Sequence, residues 1–189
     1  MAGIQWVHKL KTEKLGPAFN RLFSASAISN LADGLLAVAA PLLAITLTKN
    51  PVLISMLSAL VMLPWLLFAI PIGLIVDRVD KRLLITFTNS LRFVIAGLLA
   101  LAIATDFVTI YWLFLAAFLI GISEVASDTA SQSLIPVILE KKHFERANSR
   151  LNIAETVIQN FIGGPLSGFL YATAVVLPFV LNSAGFLIL

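Results

Sequence analysis

The stretch PVLISMLSALVMLPWLLFAIPIGLIVDRVDKRLL, residues 51–84, joins a long apolar segment to a short charged one. Residues 51–76 contain no Asp, Glu, Lys or Arg, whereas five of the six residues 77–82 are charged. At 1.5 Å of rise per residue, the apolar segment is long enough to cross roughly 30 Å of hydrocarbon as a helix. The pattern predicts a transmembrane helix that ends at a membrane surface.

The composition of the whole chain agrees with this interpretation. Apolar residues make up 59% of its 189 residues and charged residues 12%, with a mean hydropathy of +0.98, so a soluble domain is excluded. With no cysteine, the chain has neither a disulfide framework nor a Cys-based metal site, and we expect no cofactor and no metal. The basic residues are divided among short loops, so nucleic-acid binding has no support.

The sequence predicts an all-α membrane protein with five complete spans and the start of a sixth. A cytoplasmic segment, 1–21, precedes a transmembrane bundle, 22–189, and a cleavable signal peptide does not fit the first span. The sixth run reaches only about 22 Å as a helix before residue 189, as if the chain stopped inside it. The predicted spans lie near residues 22–47, 52–76, 83–105, 110–135, 151–172 and 175–189.

Basic residues alternate between the loops. Eleven occur in the segments before span 1, between spans 2 and 3, and between spans 4 and 5, whereas the intervening segments hold only Lys49. Because basic loops stay in the cytoplasm, this asymmetry predicts a cytoplasmic N-terminus. The eleven are Lys9, Lys11, Lys14, Arg21, Arg78, Lys81, Arg82, Lys141, Lys142, Arg146 and Arg150.

Polar and small residues recur at helical spacing in spans 1, 4 and 5. A carboxylate at the centre of a membrane costs roughly 2.5–3.5 kcal/mol, so such residues must face other helices or water. Close helix packing and a solute pathway both explain these stripes. We favour packing for span 5 and a pathway for spans 1 and 4, with Asn30, Asp33, Glu124 and Asp128 as candidate proton or substrate residues.

Depth along the helices separates these candidates. Asp33 and Glu124 are expected at similar depth near the bilayer centre, which makes them the leading proton or cationic-solute sites. Asp128 lies one turn nearer the cytoplasm and is expected to be held structurally, with Arg92 as a candidate partner. Arg92 and Glu155 are interpreted as structural counter-charges, although the sequence does not identify which carboxylate Arg92 meets.

The loop after span 2 carries the most specific local pattern. It reads GLIVDRVDKRLLI, residues 73–85, and resembles the signature between helices 2 and 3 of the major facilitator superfamily. Asp80 stands where that family usually has glycine. The matching residues are Gly73, Asp77, Arg78, Lys81 and Arg82.

Four further segments extend the resemblance over nearly the whole chain. NLADGLLAVAAPLLA, DTASQSLIP and ERANSRL resemble the macrolide and siderophore exporter branch of the superfamily. GGPLSG is similar to the helix 5 proline–glycine motif of drug:proton antiporters, with Phe169 in place of a frequent second glycine. The residues of that motif are Gly163, Gly164, Pro165 and Gly168.

The resemblance implies a twelve-helix secondary transporter of two six-helix halves, each a 3+3 inverted repeat. This chain would be the N-terminal half, with the other half supplied by the same chain, a second copy or a partner chain. It would export a small amphipathic organic solute across a bacterial plasma membrane by alternating access coupled to protons. The alternative is a non-transporting scaffold or an inactive fragment. An enzyme is not expected, since the spans contain no protease signature and no Ser–His pair.

Overall fold

The structure, a computed structural model, describes residues 15–187, so the predicted cytoplasmic lysines at positions 9, 11 and 14 lie outside the described residues. Every regular element in this range is helical, with no strand. A single 3₁₀ turn, Lys141–His143, and a π-helical segment, Glu155–Gly163, interrupt the α-helices. The α-helices are α1 (Gly16–Leu47), α2 (Pro51–Val76), α3 (Lys81–Ala104), α4 (Ile110–Ile138), α5 (Phe144–Ala154), α6 (Gly164–Thr173) and α7 (Leu177–Leu187).

The helix bounds follow local signals in the sequence. Asn50 caps α2 by accepting a hydrogen bond from the Val52 N–H at 3.0 Å, and Pro51 occupies the first turn, where its missing N–H is harmless. Thr109 caps α4 in the same way through the Trp112 N–H. Because these caps lie next to the apolar runs, α2 and α4 begin within one residue of the predicted spans.

Four described helices, α1 to α4, are long and apolar enough to cross a membrane. Three of them begin within two residues of the predicted spans, whereas α1 begins six residues before the predicted boundary of 22, with Pro17 in its first turn. The predicted span 151–172 is a succession of α5, the π-helical segment and α6 that starts at Phe144. All-helical architecture is therefore confirmed, and the fifth span differs by its change of helix type.

α4 lies at the centre of the bundle and α2 at its edge. In their most apolar 18-residue windows, 61% of α4 is buried but only 17% of α2. α4 packs against both α2 and α3, while α1 packs against the π-helical segment, α6 and α7. Large apolar side chains along α2, such as Leu66 and Ile70, are therefore left exposed on the outside of the bundle.

Three apolar clusters surround a polar middle layer. One gathers residues near the α3–α4 turn, including Leu43, Leu113 and Phe179. A second joins α1 to α5 at the opposite end of the bundle, and a third joins α2 to α4. Along α1, the polar residues Ser29, Asn30 and Asp33 lie between the first two clusters. The bundle therefore holds its buried polar groups at mid-depth, between apolar layers.

The charged turn between α2 and α3 is exposed. Asp77 ends α2, and its N–H donates to the Gly73 carbonyl at 3.1 Å. Asp80 caps α3 by accepting hydrogen bonds from the backbone N–H groups of Arg82 (2.8 Å) and Leu83 (3.1 Å). These bonds, the one from Leu83 first, hold the pKa of the Asp80 carboxyl below its ordinary value. Asp80 therefore starts α3 at the position where the resembling signature has glycine.

Candidate functional site

A buried ion pair joins α3 to α1 in the polar layer. Arg92, which is fully buried, pairs with the Asp33 carboxylate, and its Nη1 donates to the Ser29 hydroxyl at 3.0 Å. Ser29 lies one turn before Asp33 on α1, so both partners share a helix face. The guanidinium also lies 4.1 Å from the ring centroid of Phe186 on α7, a cation–π contact. One arginine thus connects three helices.

This pairing supplies the partner that the sequence leaves open. Asp128 is a candidate partner of Arg92 in the sequence, whereas in the structure the ion pair of Arg92 is with Asp33. The rotation of α3 about its axis decides this partner, because it directs Arg92 towards α1 and α7. There the guanidinium also donates to Ser29 and contacts the ring of Phe186. The carboxylate that pairs with Arg92 belongs to one of the two residues predicted as proton or cationic-solute sites.

Glu124 and Asp128 complete a cluster of charges around this pair. Both are half-buried on α4, one turn apart, and Arg92 has Coulombic interactions with Asp33, Glu124 and Asp128. Glu155, exposed at the start of the π-helical segment, interacts with both α4 carboxylates. Because these are like charges, Glu155 adds to the negative charge of the cluster instead of neutralising it.

The balance of charge in this layer is therefore uneven. Three carboxyl groups, those of Asp33, Glu124 and Asp128, interact with one guanidinium that is already paired with Asp33, and Glu155 adds a fourth carboxyl group beside those of α4. Charges in a medium of low dielectric interact strongly, and unpaired ones are costly there. The cluster is thus suited to binding a cation, either a proton or a positively charged group of a solute. For the part of the chain that the structure describes, no group of three or more residues has the arrangement of a metal site.

The π-helical segment packs its backbone directly against α1, next to Asp33. A Cβ on Gly34 would overlap the carbonyl group of Gln159, and a Cβ on Gly163 would lie 2.9 Å from the Gly34 Cα. The Gln159 carbonyl is itself the acceptor of the Gly164 N–H, a bond across five residues. Glycine at both positions is therefore needed for this approach, since any side chain would separate the two helices.

Hydrogen bonds from two other helices fix the same turn of α1. Asn182 Nδ2 on α7 donates to the Ala32 carbonyl, and the Ser167 hydroxyl on α6 donates to the Leu35 carbonyl, each at 2.6 Å. Both side chains are fully buried. Sequence reasoning did not single out Asn182, although a lone amide in an apolar run is a signal for a buried hydrogen bond between helices.

The remaining predicted residues lie outside this cluster. Asn30 is buried and donates to the Ser26 hydroxyl within α1 at 3.2 Å. In the GGPLSG motif, residues 163–168 at the start of α6, Pro165 is exposed. A Cβ on Gly164 would make an ordinary contact with Val38, and a Cβ on Gly168 would meet open space. The loop motif lies at the end of α2, away from the polar layer. Of the predicted residues, Asp33, Arg92, Glu124, Asp128 and Glu155 are the ones brought together.

Comparison with known proteins gives one match. The family model of the Major Facilitator Superfamily matches residues 22–189, which is most of the chain. No curated protein and no solved structure matches.

Proposed function

Because the chain belongs to the major facilitator superfamily of membrane transporters, we propose that it is the N-terminal half of a proton-coupled exporter of small amphipathic solutes. The proposal includes a site near the bilayer centre that opens alternately to each side of a bacterial plasma membrane. A second six-helix half, from further chain, a second copy or a partner chain, would complete the pathway. Solutes of the macrolide or siderophore kind fit the resemblance in the sequence.

One observation carries this proposal, namely the excess of carboxyl groups around Arg92. Glu124 and Asp128 lie within Coulombic range of the Arg92–Asp33 pair, yet no described bond neutralises either of them. A proton that binds there removes negative charge from the polar layer, and its departure restores the charge. A site with this property can exchange a proton for a cationic or polar solute as access changes from one side to the other.

The individual roles follow from the contacts. Glu124 is the leading site for a proton or a cationic group, because it interacts with all four other charged members of the cluster. Asp128, one turn away, supports the same site from α4. Asp33 is paired with Arg92, and Arg92 also interacts with the carboxylates of α4. A change of charge at the α4 carboxylates therefore changes the electrostatic energy of the pair that joins α1 to α3. In this proposal, binding of a proton or cation to the cluster changes how α1, α3 and α4 pack against one another.

Replacing Glu124 with glutamine tests the coupling. We expect Glu124→Gln in the full-length transporter to reduce efflux driven by a pH gradient by about tenfold to a hundredfold. The loss corresponds to about 1.4–2.7 kcal/mol, since the amide is similar in size but cannot exchange a proton. Efflux of a panel of fluorescent amphipathic dyes from proteoliposomes, normalised to the amount of protein, provides the measurement.

Glu145→Gln is the matched control, because Glu145 is exposed in the first turn of α5. It should leave dye efflux unchanged. Uphill efflux at the wild-type rate in Glu124→Gln would mean that Glu124 has no coupling role. If the unsubstituted transporter moves none of the dyes, the solute class is wrong, and a scaffold becomes the better description.

The proposed orientation has its own test, helped by the absence of natural cysteine. Lys49 lies in the exposed loop between α1 and α2, and Lys141 lies in the exposed 3₁₀ turn after α4. We expect an impermeant maleimide added outside intact cells to label Lys49→Cys and to label Lys141→Cys only after permeabilisation. Labelling of Lys141→Cys alone in intact cells would invert the proposed topology.

A further inference from the structure

An apolar groove runs between α3 and α4 on the lipid side of the bundle. Its volume is about 410 Å³, and it reaches the α3–α4 turn. Leu99 and Ala116 form its buried floor, at 4% and 5% exposure, while Leu98, Leu101 and Leu115 form exposed rims. We propose that this groove is a binding site for one acyl chain of a membrane phospholipid.

The length of the groove fits one leaflet. Along α3 it extends from Ile95 to Thr105, which is about 15 Å at 1.5 Å per residue. The hydrocarbon core is roughly 30 Å thick, so each leaflet supplies about half of that depth. A groove that begins at the end of a span and continues for about 15 Å reaches the middle of the bilayer. A single acyl chain anchored at that surface covers the same distance.

The lining of the groove selects a hydrocarbon occupant. No charged residue lines it, and the hydroxyl of Thr105 is engaged with the Leu101 carbonyl of its own helix at 2.8 Å. A headgroup or a cationic solute therefore finds no partner inside. At the mouth, Trp112 is half-exposed beside the turn, which is the level where tryptophan side chains meet lipid headgroups. The polar end of a lipid thus has a place at the mouth, and its tail lies in the groove.

The surrounding surface identifies the source of the occupant. The rims are continuous with exposed apolar side chains of two helices that are long and apolar enough to span the membrane, so the groove opens directly to the bilayer. The groove lies apart from the polar layer, because Arg92 on the same helix faces α1 and α7. Lipid reaches this groove without passing through the proposed transport pathway, so the two proposals are independent.

Photo-crosslinking provides a direct test. The full-length protein would be reconstituted with phosphatidylcholine that carries a diazirine in its acyl chain, and the labelled residues mapped by mass spectrometry. We expect labelling at the floor residues Leu99 and Ala116, with about tenfold more per residue than on the lipid-facing surface of α2 at Leu66 and Ile70. A tenfold preference corresponds to about 1.4 kcal/mol.

Filling the groove provides the matched comparison. Ala116→Leu places a larger side chain on the floor and should abolish labelling of Leu99, while Ile70→Phe on the exposed face of α2 should leave it unchanged. If Ala116→Leu does not fold, bromine-labelled acyl chains give a second measurement on single-tryptophan proteins. Quenching of Trp112 should then reach its maximum at a lower fraction of brominated lipid than quenching of Trp65, which lies on α2.

Two results would overturn the proposal. Equal labelling of the groove floor and of the α2 surface would mean an ordinary lipid-facing surface without a site. Absence of lipid labelling at the floor in a protein that forms dimers, with labelling restored when the dimers dissociate, would mean that the groove is a contact between subunits. Because neither measurement depends on dye efflux, a failure here is distinguishable from a failure of the transport proposal.

Discussion

Replacing Arg92 with methionine is expected to lower the free energy of unfolding by about 3–5 kcal/mol. The substitution keeps an unbranched side chain of similar length but removes the cation that neutralises Asp33 and the donor to Ser29. An unpaired carboxylate in the buried layer is costly, and the contact with the ring of Phe186 is lost as well. Unfolding in mixed detergent micelles, followed by circular dichroism, measures the change.

Arg82→Met on the same helix is the matched control. Arg82 is exposed at the start of α3, so its loss should change the unfolding midpoint very little. The double variant Arg92→Met with Asp33→Asn should recover part of the loss, because it removes the stranded charge together with its partner. If Arg92→Met were no more harmful than Arg82→Met, the buried pair would not hold the helices together.

Alanine at Gly34 is expected to destabilise the protein by about 1–3 kcal/mol, the usual cost of overpacking a close contact. Its Cβ would overlap the backbone carbonyl of Gln159, and backbone does not move aside as the end of a flexible side chain does. α1 would therefore separate from the π-helical segment, and Asp33 would move with it. The unfolding midpoint and dye efflux should both fall.

Gly168→Ala distinguishes this effect from the general influence of helix propensity. Both glycines lie inside helices, but a Cβ on Gly168 would meet open space, so alanine there should be neutral or slightly stabilising. Equal stability of the two alanine variants would show that α1 and the π-helical segment do not touch as described. A larger loss for Gly34→Leu than for Gly34→Ala would confirm that side-chain volume is the cause.

Much of the architecture could be predicted from the sequence because its signals are local. Uninterrupted apolar runs place the starts of α2, α3 and α4 within two residues, and two of these starts coincide with the caps at Asn50 and Thr109. Ionisable side chains inside these runs identify the polar layer, since each must be compensated there. Asp33, Glu124 and Arg92 could be selected for this reason before any contact was known.

The pairing inside the layer could not be predicted in the same way. Asp33 and Arg92 are 59 residues apart in sequence, and which carboxylate the guanidinium meets depends on how α3 is rotated against its neighbours. Small differences in helix packing decide that rotation, and no local pattern encodes it. The partner of Arg92 is therefore a property of the tertiary structure.

The π-helical segment shows a second limit. Its hydrogen bonds span five residues, as in the bond from the Gly164 N–H to the Gln159 carbonyl, and no residue type marks that pattern. Pro165 indicates only that the usual bonding is interrupted nearby, because proline has no N–H to donate. The glycines at 163 and 164 were identified from a motif, but the contact of Gly163 with Gly34 required the packed structure.

The turn of α1 from residue 32 to residue 35 is held mostly through its backbone. The side chains of Asn182 and Ser167 donate hydrogen bonds to the carbonyls of Ala32 and Leu35, and the π-helical segment packs against the Cα of Gly34. The Ala32 Cβ is close to α7 as well, 3.1 Å from where a Cβ on Gly185 would lie. Every amino acid other than proline supplies the same backbone, so evolutionary substitution at Ala32 and Gly34 is limited by side-chain volume and not by chemical type.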